Sequence, residues 1–267
     1  MTGKPGNNAA AYLRSRIPSG TDPKTFFAGY SMNARDEVAL RMAARNDARS
    51  YVYNATISFI GGLVCLHSQR AAWAVTKMYY TAFYIGRAAL CRSHLVIFHV
   101  PKPNATGNTQ YEIQVSAGQQ AAIVAKPPST HKLVARRFQE SGYPVFMRGL
   151  QVDGDDPIIW LMDQREFWQY RAGRFSDPEL PDVLDKIESK KVPRLLAQYA
   201  ADPSGLYLAD RSHALIAIPF RLLIWALSQD ALLSPGVIEE EDVKYLRRHC
   251  RVGGQQLGAL ELLLRWP

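Results

Sequence analysis

The sequence is poor in cysteine. Its 267 residues include only three, Cys65, Cys91 and Cys250, which lie far apart and form no CxxC pair. This usage argues against a disulfide framework and against a cysteine-based zinc site. Because Cys65 and Cys91 lie in apolar runs, we predict that they are buried thiols in a reducing cytosol.

Long apolar runs and a secretory signal are also missing. The N-terminal stretch MTGKPGNNAAAYLRSR has no continuous apolar core, so it is not a secretory signal. The most apolar segments, residues 57–66 and 215–227, are shorter than the roughly 20 residues that cross a bilayer, and Arg221 interrupts the second. We therefore expect a soluble, cytoplasmic protein with no membrane association.

Several motifs of nucleotide, metal and acyl-transfer chemistry do not occur. There is no Walker A motif, no GxGxxG after a predicted strand, no HExxH and no GxSxG. The histidines show no metal-ligand spacing on one predicted helix, and the glutamates of EEEDV are more typical of partners of a helix dipole than of a cation site. We expect neither a metal nor another cofactor.

Acidic residues are fewer than basic ones. The chain has 24 Asp and Glu against 32 Lys and Arg, which gives a formal charge of +8 and a pI near 9.4. The apolar share of 47% and the charged share of 21% are those of an ordinary globular protein. The positive charge favours a polyanionic partner, namely nucleic acid, an anionic membrane surface or an acidic protein.

Helical patterning is what the sequence has in abundance. The stretch Ala71–Ser93, AAWAVTKMYYTAFYIGRAALCRS, has no proline and one glycine, and it is apolar over most of its circumference at helical spacing. Such a segment is typical of a central helix that is contacted from several sides. Its small residues, including Ala82 and Gly86, would let neighbouring helices come close.

The remaining elements predict a mostly α fold. A flexible N-terminus, residues 1–22, precedes one mostly helical domain, residues 23–267. Further helices are predicted at 36–48, 55–66 (which Gly61-Gly62 either breaks or packs closely), 131–141, 157–175, 181–200 (one or two helices), 214–228 and 239–251, with a short helix after Gly254. Between about residues 95 and 125, β-branched and alternating segments predict an inserted β hairpin, or a three-stranded element.

Three short segments resemble HEPN-type proteins. Tyr79-Tyr80 followed by Ala82-Phe83 and by the run 87–90 is similar to the YYAAFxxARALL helix of that family. Arg165 and Tyr170 are similar to the R-x-x-x-x-Y segment of a later family helix. His131-Lys132 before Phe138 is similar to the joint between the two. The resemblance, which touches about a quarter of the chain, implies a helical bundle that is often dimeric and that acts in prokaryotic defence or toxin–antitoxin systems.

The resemblance also implies where catalysis would lie. Catalytic HEPN ribonucleases carry an arginine followed by a polar residue, and then a histidine after four to six intervening residues. The arginine would stabilise the phosphate and the histidine would act as general acid or base. Two pairs have an admissible spacing, Arg87 with His94 and Arg92 with His99. Both lie on the early helix or just after it, so the signature is absent or displaced. Arginines that satisfy carbonyls at a helix end explain Arg87 and Arg92 equally well.

A basic cluster is the candidate nucleic-acid surface. It consists of Lys132, Arg136, Arg137 and Arg148, and three aromatic residues that could stack bases are interleaved with it, Phe138, Tyr143 and Phe146. A solvated basic face with no ligand is the alternative.

Three hypotheses on function follow. The first is a HEPN-like module that binds RNA or a protein partner. The second is a metal-independent endoribonuclease that uses an arginine and a histidine brought together across a dimer. The third is a structural subunit whose basic face meets an acidic partner.

Overall fold

The structure is a computed structural model that describes residues 7–102, 106–123, 129–171, 192–228, 240–252 and 254–257. Within these ranges the chain is mostly helical, which confirms the predicted class. The α-helices are α1 (Asn8–Ser15), α2 (Pro23–Gly29), α3 (Ala34–His67), α4 (Ala71–Arg92), α5 (Thr130–Ser141), α6 (Pro157–Glu166), α7 (Val192–Ala201), α8 (Leu206–Ala209), α9 (Arg211–Ser228) and α10 (Glu240–His249). None of the described helices has the length and apolar character that a membrane span requires.

The chain divides into two compact units. Unit 1 consists of Met1–Ser50 and Arg87–Gly142, and unit 2 consists of Tyr51–Gly86 and Tyr143–Pro267. Helices α3 and α4 therefore each contribute residues to both units. The prediction of one domain over residues 23–267 stays a prediction.

In unit 1, helix α1 lies within the segment that was predicted to be flexible. Ala9 and Leu13 are fully buried. The carboxylate of Asp47, on α3, accepts hydrogen bonds from the backbone N–H groups of Asn8 and Ala9. The first N–H groups of a helix have no partner within it, and Asp47 supplies one from another helix. Residues 8–15 are therefore a docked helix, which differs from the expected flexible segment.

The inserted β element in unit 1 is an antiparallel sheet of β1 (Leu95–Pro101), β2 (Asn108–Gln114) and β3 (Ala122–Ile123) in that order. Phe98 pairs with Tyr111 in register, and their rings pack on Phe27 of α2 at centroid distances of 5.3 and 4.8 Å. Because side chains alternate along a strand, the neighbouring pair, His99 and Gln110, lies on the opposite face. Contacts from that face reach helix α5.

In unit 2, the two adjacent glycines of α3 pack against α4 and do not break the helix. Helix α3 runs without interruption through Gly61 and Gly62. A Cβ atom on Gly62 would lie 2.8 Å from Cε of Met78, whereas one on Gly61 would find nothing closer than 3.9 Å. The central helix α4 has nearly its predicted bounds, although Trp73 on its apolar line is 56% exposed.

The predicted start of α6 is confirmed. Asp156 caps the helix by accepting from the N–H groups of residues 158 and 159, and Pro157 occupies the first position. The α-helix ends at Glu166 and continues as one π-helical turn, Phe167–Arg171.

A single 3₁₀ turn spans Val145–Met147, and β4 (Arg251–Val252) pairs with β5 (Gln255–Gln256). The helix predicted at 181–200 lies partly, and the short C-terminal helix largely, outside the described residues.

Candidate nucleic-acid interface

The positive charge of the chain belongs to unit 1. The sequence of unit 1 holds 15 Lys and Arg against 6 Asp and Glu, whereas that of unit 2 holds 17 against 18. Unit 1 thus carries a formal charge of +9 and unit 2 a charge of −1, which together give the +8 of the whole chain. Because the units alternate along the chain, this partition becomes visible only once the fold is known.

Much of the negative charge in unit 1 is held inside the fold. Asp36 and Asp47 are only 2% and 3% exposed. Glu112 on β2 accepts from Arg137 on α5, with Arg137 Nε 2.9 Å from Glu112 Oε2. Glu37 pairs with Arg41 at 2.7 Å. Since these carboxylates are buried or paired, the surface of unit 1 is dominated by its cations.

The basic residues predicted on α5 have two different roles. Lys132 and Arg136 are exposed and lie one helical turn apart, so both can reach the same phosphate chain. Arg137 instead bonds with Glu112 and Glu140, and these bonds raise the pKa of its guanidinium above the ordinary value. Arg137 therefore fastens α5 to the sheet.

The other residues of the predicted cluster belong to unit 2 or are buried. Arg148 is exposed but belongs to unit 2. Phe138 is 1% exposed in the core of unit 1, so the prediction that it stacks bases is wrong. Tyr143 belongs to unit 2, where its hydroxyl donates to Asp156 at 2.7 Å. Phe146 is half-buried in the same unit.

His94 lies in an arginine-rich part of unit 1. It follows the end of α4 with a left-handed backbone, φ +60°, and its Nε2 is 3.1 Å from Nη1 of Arg41. A guanidinium has no acceptor, so the ring nitrogen accepts this bond. Burial and the charges of Arg41 and Arg45 lower the pKa of His94 against the opposing effect of Glu37. The imidazole is therefore neutral near pH 7.

His99 lies beside a different arginine from the one its spacing suggests. Its Nε2 is 3.0 Å from Oγ1 of Thr130 at the start of α5. Burial, followed by the charge of Arg87, lowers the pKa of His99, while a hydrogen bond with Gln110 acts in the opposite direction. Arg87 Nη2 also donates to the carbonyl of Ile97 at 3.4 Å. The fold thus brings Arg87 and His99 into one neighbourhood.

The other candidate residues are placed differently. His94 has Arg41 as its neighbour, and Arg92 is an exposed residue at the end of α4. The sequence analysis did not identify Arg41 as a neighbour of His94, or Arg14 of α1 as a charge that also lowers the pKa of His99. The i, i+4 spacing of Arg41 and Arg45 was the one available signal, and it says nothing about which histidine they approach.

A polar cavity of about 400 Å³ in unit 1 is lined in part by Tyr12, Asn33 and Asp36. Asp36 accepts from the hydroxyls of Tyr12 (2.7 Å) and Tyr30 (3.0 Å) and from the amide of Asn33 (3.0 Å), and Arg16 lies at 3.4 Å. Burial and these bonds raise the pKa of both tyrosines. Both carboxylate oxygens of Asp36 are therefore bonded within the fold. Their partners Tyr12 and Tyr30 connect α1 and the end of α2 to the start of α3.

Comparison of the chain with models of known protein families, with curated proteins and with solved structures finds no match. The HEPN resemblance therefore stays a prediction that rests on its three segments. Among the described residues, no group of three or more His, Cys, Asp and Glu side chains is placed to hold a metal ion.

Proposed function

We propose that this chain is a HEPN-like RNA-binding module whose unit 1 binds the phosphodiester backbone. The observation that carries the proposal is the partition of charge, +9 on unit 1 and −1 on unit 2. A surface with this excess attracts a polyanion, and binding releases the counterions condensed on it. The resemblance supports RNA over other polyanions and suggests a role in prokaryotic defence or a toxin–antitoxin system.

The exposed residues of α5 are the contacts we expect to matter. Lys132 and Arg136 point away from the buried side of α5, which carries Leu133 and Phe138. Arg136 has only a long ion pair to Glu140, 3.8 Å, in which both side chains are about half exposed. Exposed pairs of this kind are weak, so a phosphate can replace Glu140 as the partner.

The test is the salt dependence of binding to a fluorescently labelled single-stranded RNA, read by anisotropy over a series of KCl concentrations. The double variant Lys132→Ala/Arg136→Ala should reduce the slope of log K against log salt by about 1.4, or about 0.7 for each lost contact. The matched control is Lys244→Ala/Arg248→Ala, which removes two exposed cations at the same spacing from α10 in unit 2.

Equal effects of the two double variants would contradict an RNA site on unit 1. Absence of RNA binding, together with an acidic protein that co-purifies in stoichiometric amount, would favour the structural-subunit hypothesis.

A second candidate function, a metal-independent endoribonuclease, is favoured by one observation, the proximity of Arg87 to a neutral His99. His99 would take the proton of the ribose 2′-hydroxyl, whose oxygen attacks the adjacent phosphorus and displaces the 5′-oxygen, and that oxygen takes a proton from water. Arg87 would offset the charge on the phosphate oxygens.

This hypothesis predicts cleavage of RNA in EDTA that His99→Ala abolishes while RNA affinity persists. His94→Ala is the control, because its ring is occupied by Arg41. Cleavage that survives His99→Ala would exclude this residue as the base.

A further inference from the structure

The first half of α3, in unit 1, carries a basic and apolar stripe on the side that faces away from the core. Its residues, here named the α3 stripe, are Arg35, Val38, Met42, Arg45 and Arg49. They follow one another at spacings of three and four residues in alternation, so they form one line along the helix, about 21 Å long. A line with this spacing is the seam along which one helix packs against another.

Two apolar side chains are exposed in the middle of the α3 stripe. Val38 is 60% exposed and Met42 is 65% exposed. No other large apolar side chain in the described part of unit 1 is exposed to this extent. On the opposite side of the same helix, Leu40 and Ala44 are fully buried. Helix α3 therefore has a second apolar surface, which the core of unit 1 does not use.

The outer side of α3 also lacks available carboxylates. Three acidic residues lie on this half of the helix, and the fold holds each of them. Asp36 and Asp47 are buried, and Glu37 bonds with Arg41 and with the backbone N–H of Ala117. In the described part of the chain, no Asp or Glu lies within 4.0 Å of the three stripe arginines. The charge complement of the α3 stripe is therefore an acidic surface.

Arg49 at the end of the stripe has the least favourable surroundings for a cation. It is half-buried, and its Nε meets no hydrogen-bond acceptor among the described residues. Its Nη1 lies 3.5 Å from Oδ1 of Asn46, a long contact. Burial, followed by the charge of Arg45, lowers the pKa of its guanidinium. A carboxylate beside Arg45 and Arg49 would offset the repulsion between these two cations.

We propose that the α3 stripe docks an acidic amphipathic helix of a partner protein. Apolar residues of that helix would cover Val38 and Met42, and its carboxylates would pair with the arginines at both ends of the stripe. RNA fits less well, because the stripe has no aromatic ring on which a base could stack. A membrane fits less well because interfacial helices carry a larger apolar face, rich in Trp, Phe and Leu.

The inference goes beyond the proposed function and does not rest on it, because the RNA contacts proposed on α5 are not part of the α3 stripe. The test is fluorescence anisotropy of the full chain with labelled synthetic helices of about 18 residues, long enough to cover the stripe. One has leucine at alternating spacings of three and four with glutamate beside it, the second is its scrambled sequence, and the third has lysine in place of glutamate. We expect the acidic peptide to bind at least tenfold more tightly than the other two.

The apolar part of the stripe is tested without a change of charge. Val38→Ser/Met42→Ser should weaken binding of the acidic peptide at least tenfold. The matched control is Val145→Ser/Leu206→Ser, which removes two exposed apolar side chains from unit 2 and should leave the affinity unchanged. All four positions are exposed, so both variants should keep the Tm of the native chain.

The charged part of the stripe is tested by exchange of charges. Arg35→Glu/Arg45→Glu should lose the acidic peptide and gain binding of the lysine peptide. Lys132→Glu/Arg136→Glu makes the same change of charge at exposed positions of α5 and should change either affinity less than threefold. An equal loss in both variants would overturn the proposal, because the peptide would then respond only to the net charge of unit 1.

Absence of binding by the acidic peptide, or equal binding of its scrambled sequence, would also overturn the proposal. The other occupants are tested with phosphatidylserine vesicles and with single-stranded RNA. If either binds, loses affinity in Val38→Ser/Met42→Ser, and the acidic peptide does not bind, the stripe is a membrane or RNA contact and the proposal fails. Lys132→Ala/Arg136→Ala should keep the affinity for the acidic peptide, so failure of the RNA-binding proposal and failure of this one are distinguishable.

Discussion

Adjacent glycines in the middle of α3 should respond with opposite sign to the same substitution. In a helix interior, alanine is more favourable than glycine by about 0.8–1.0 kcal/mol. At Gly61 the new methyl group would meet only Lys77 Cδ and Cε, at 3.9 and 4.0 Å, which are ordinary contacts. Gly61→Ala should therefore increase the free energy of unfolding by about 1 kcal/mol.

At Gly62 the same methyl group would overlap α4. It would lie 2.8 Å from Met78 Cε, and 3.3 Å from both Met78 Sδ and Lys77 Cβ. Met78 is fully buried, so its end has little room to move, and Lys77 Cβ is fixed by the backbone. Overpacking of this kind costs about 1–3 kcal/mol. The gain in helix propensity offsets about 1 kcal/mol of this cost. Gly62→Ala should therefore lower the free energy of unfolding by about 1 kcal/mol.

The assay is urea and thermal unfolding of the two variants side by side. Their difference of about 2 kcal/mol corresponds to about 4–8 °C in Tm. Met78→Leu, which lacks Cε, should restore stability in the Gly62→Ala background and provides a double-mutant cycle. Equal stabilisation by the two glycine substitutions would refute the close approach of α3 to α4 at Gly62.

Three further predictions concern buried groups. Asp47→Ala removes the acceptor at the start of α1 and should cost about 2–3 kcal/mol, with faster amide exchange in α1, whereas exposed Asp155→Ala should stay within about 0.5 kcal/mol. The pKa of His99 is below its ordinary value of 6.5, so its contribution to stability is complete above pH 6.5 and is lost as the pH falls below that value. His99→Asn should therefore reduce the loss of stability below pH 6.5, measured by urea unfolding at several pH values. An unchanged loss would contradict the lowered pKa. Burial raises the pKa of Cys91 to about 12, so its thiol should react slowly. An aromatic disulfide reagent should label half-exposed Cys65 first and reach Cys91 only on unfolding. Equal labelling rates for the two thiols would refute the burial of Cys91.

Local sequence patterns predicted most elements of the fold. The apolar circumference of 71–93 gave α4 within one residue, and Asp156-Pro157 gave the start of α6. These predictions succeed because helix formation depends on residues within one or two turns. Helix α1 was missed for the converse reason, because its first N–H groups are satisfied by Asp47, 38 and 39 residues away.

The candidate site was predicted in composition but not in arrangement. Lys132 and Arg136 are exposed, as expected for a binding surface. Arg137, on the same helix, instead donates to Glu112 of β2. The spacing rule paired Arg92 with His99, whereas the structure gives Arg87 as the neighbour of His99. A spacing along the chain fails here because His99 lies on a strand and Arg87 on a helix.

The sequence by itself determined the mostly helical class, the place of the β element and the total charge. The tertiary structure decided which unit carries that charge, which arginine approaches His99 and which carboxylates of α3 are buried in the fold. The physical reason is that secondary structure follows from neighbours along the chain, whereas the partner of a charge follows from helix packing and strand register. Both join residues that are distant in the sequence, and no local pattern encodes the result.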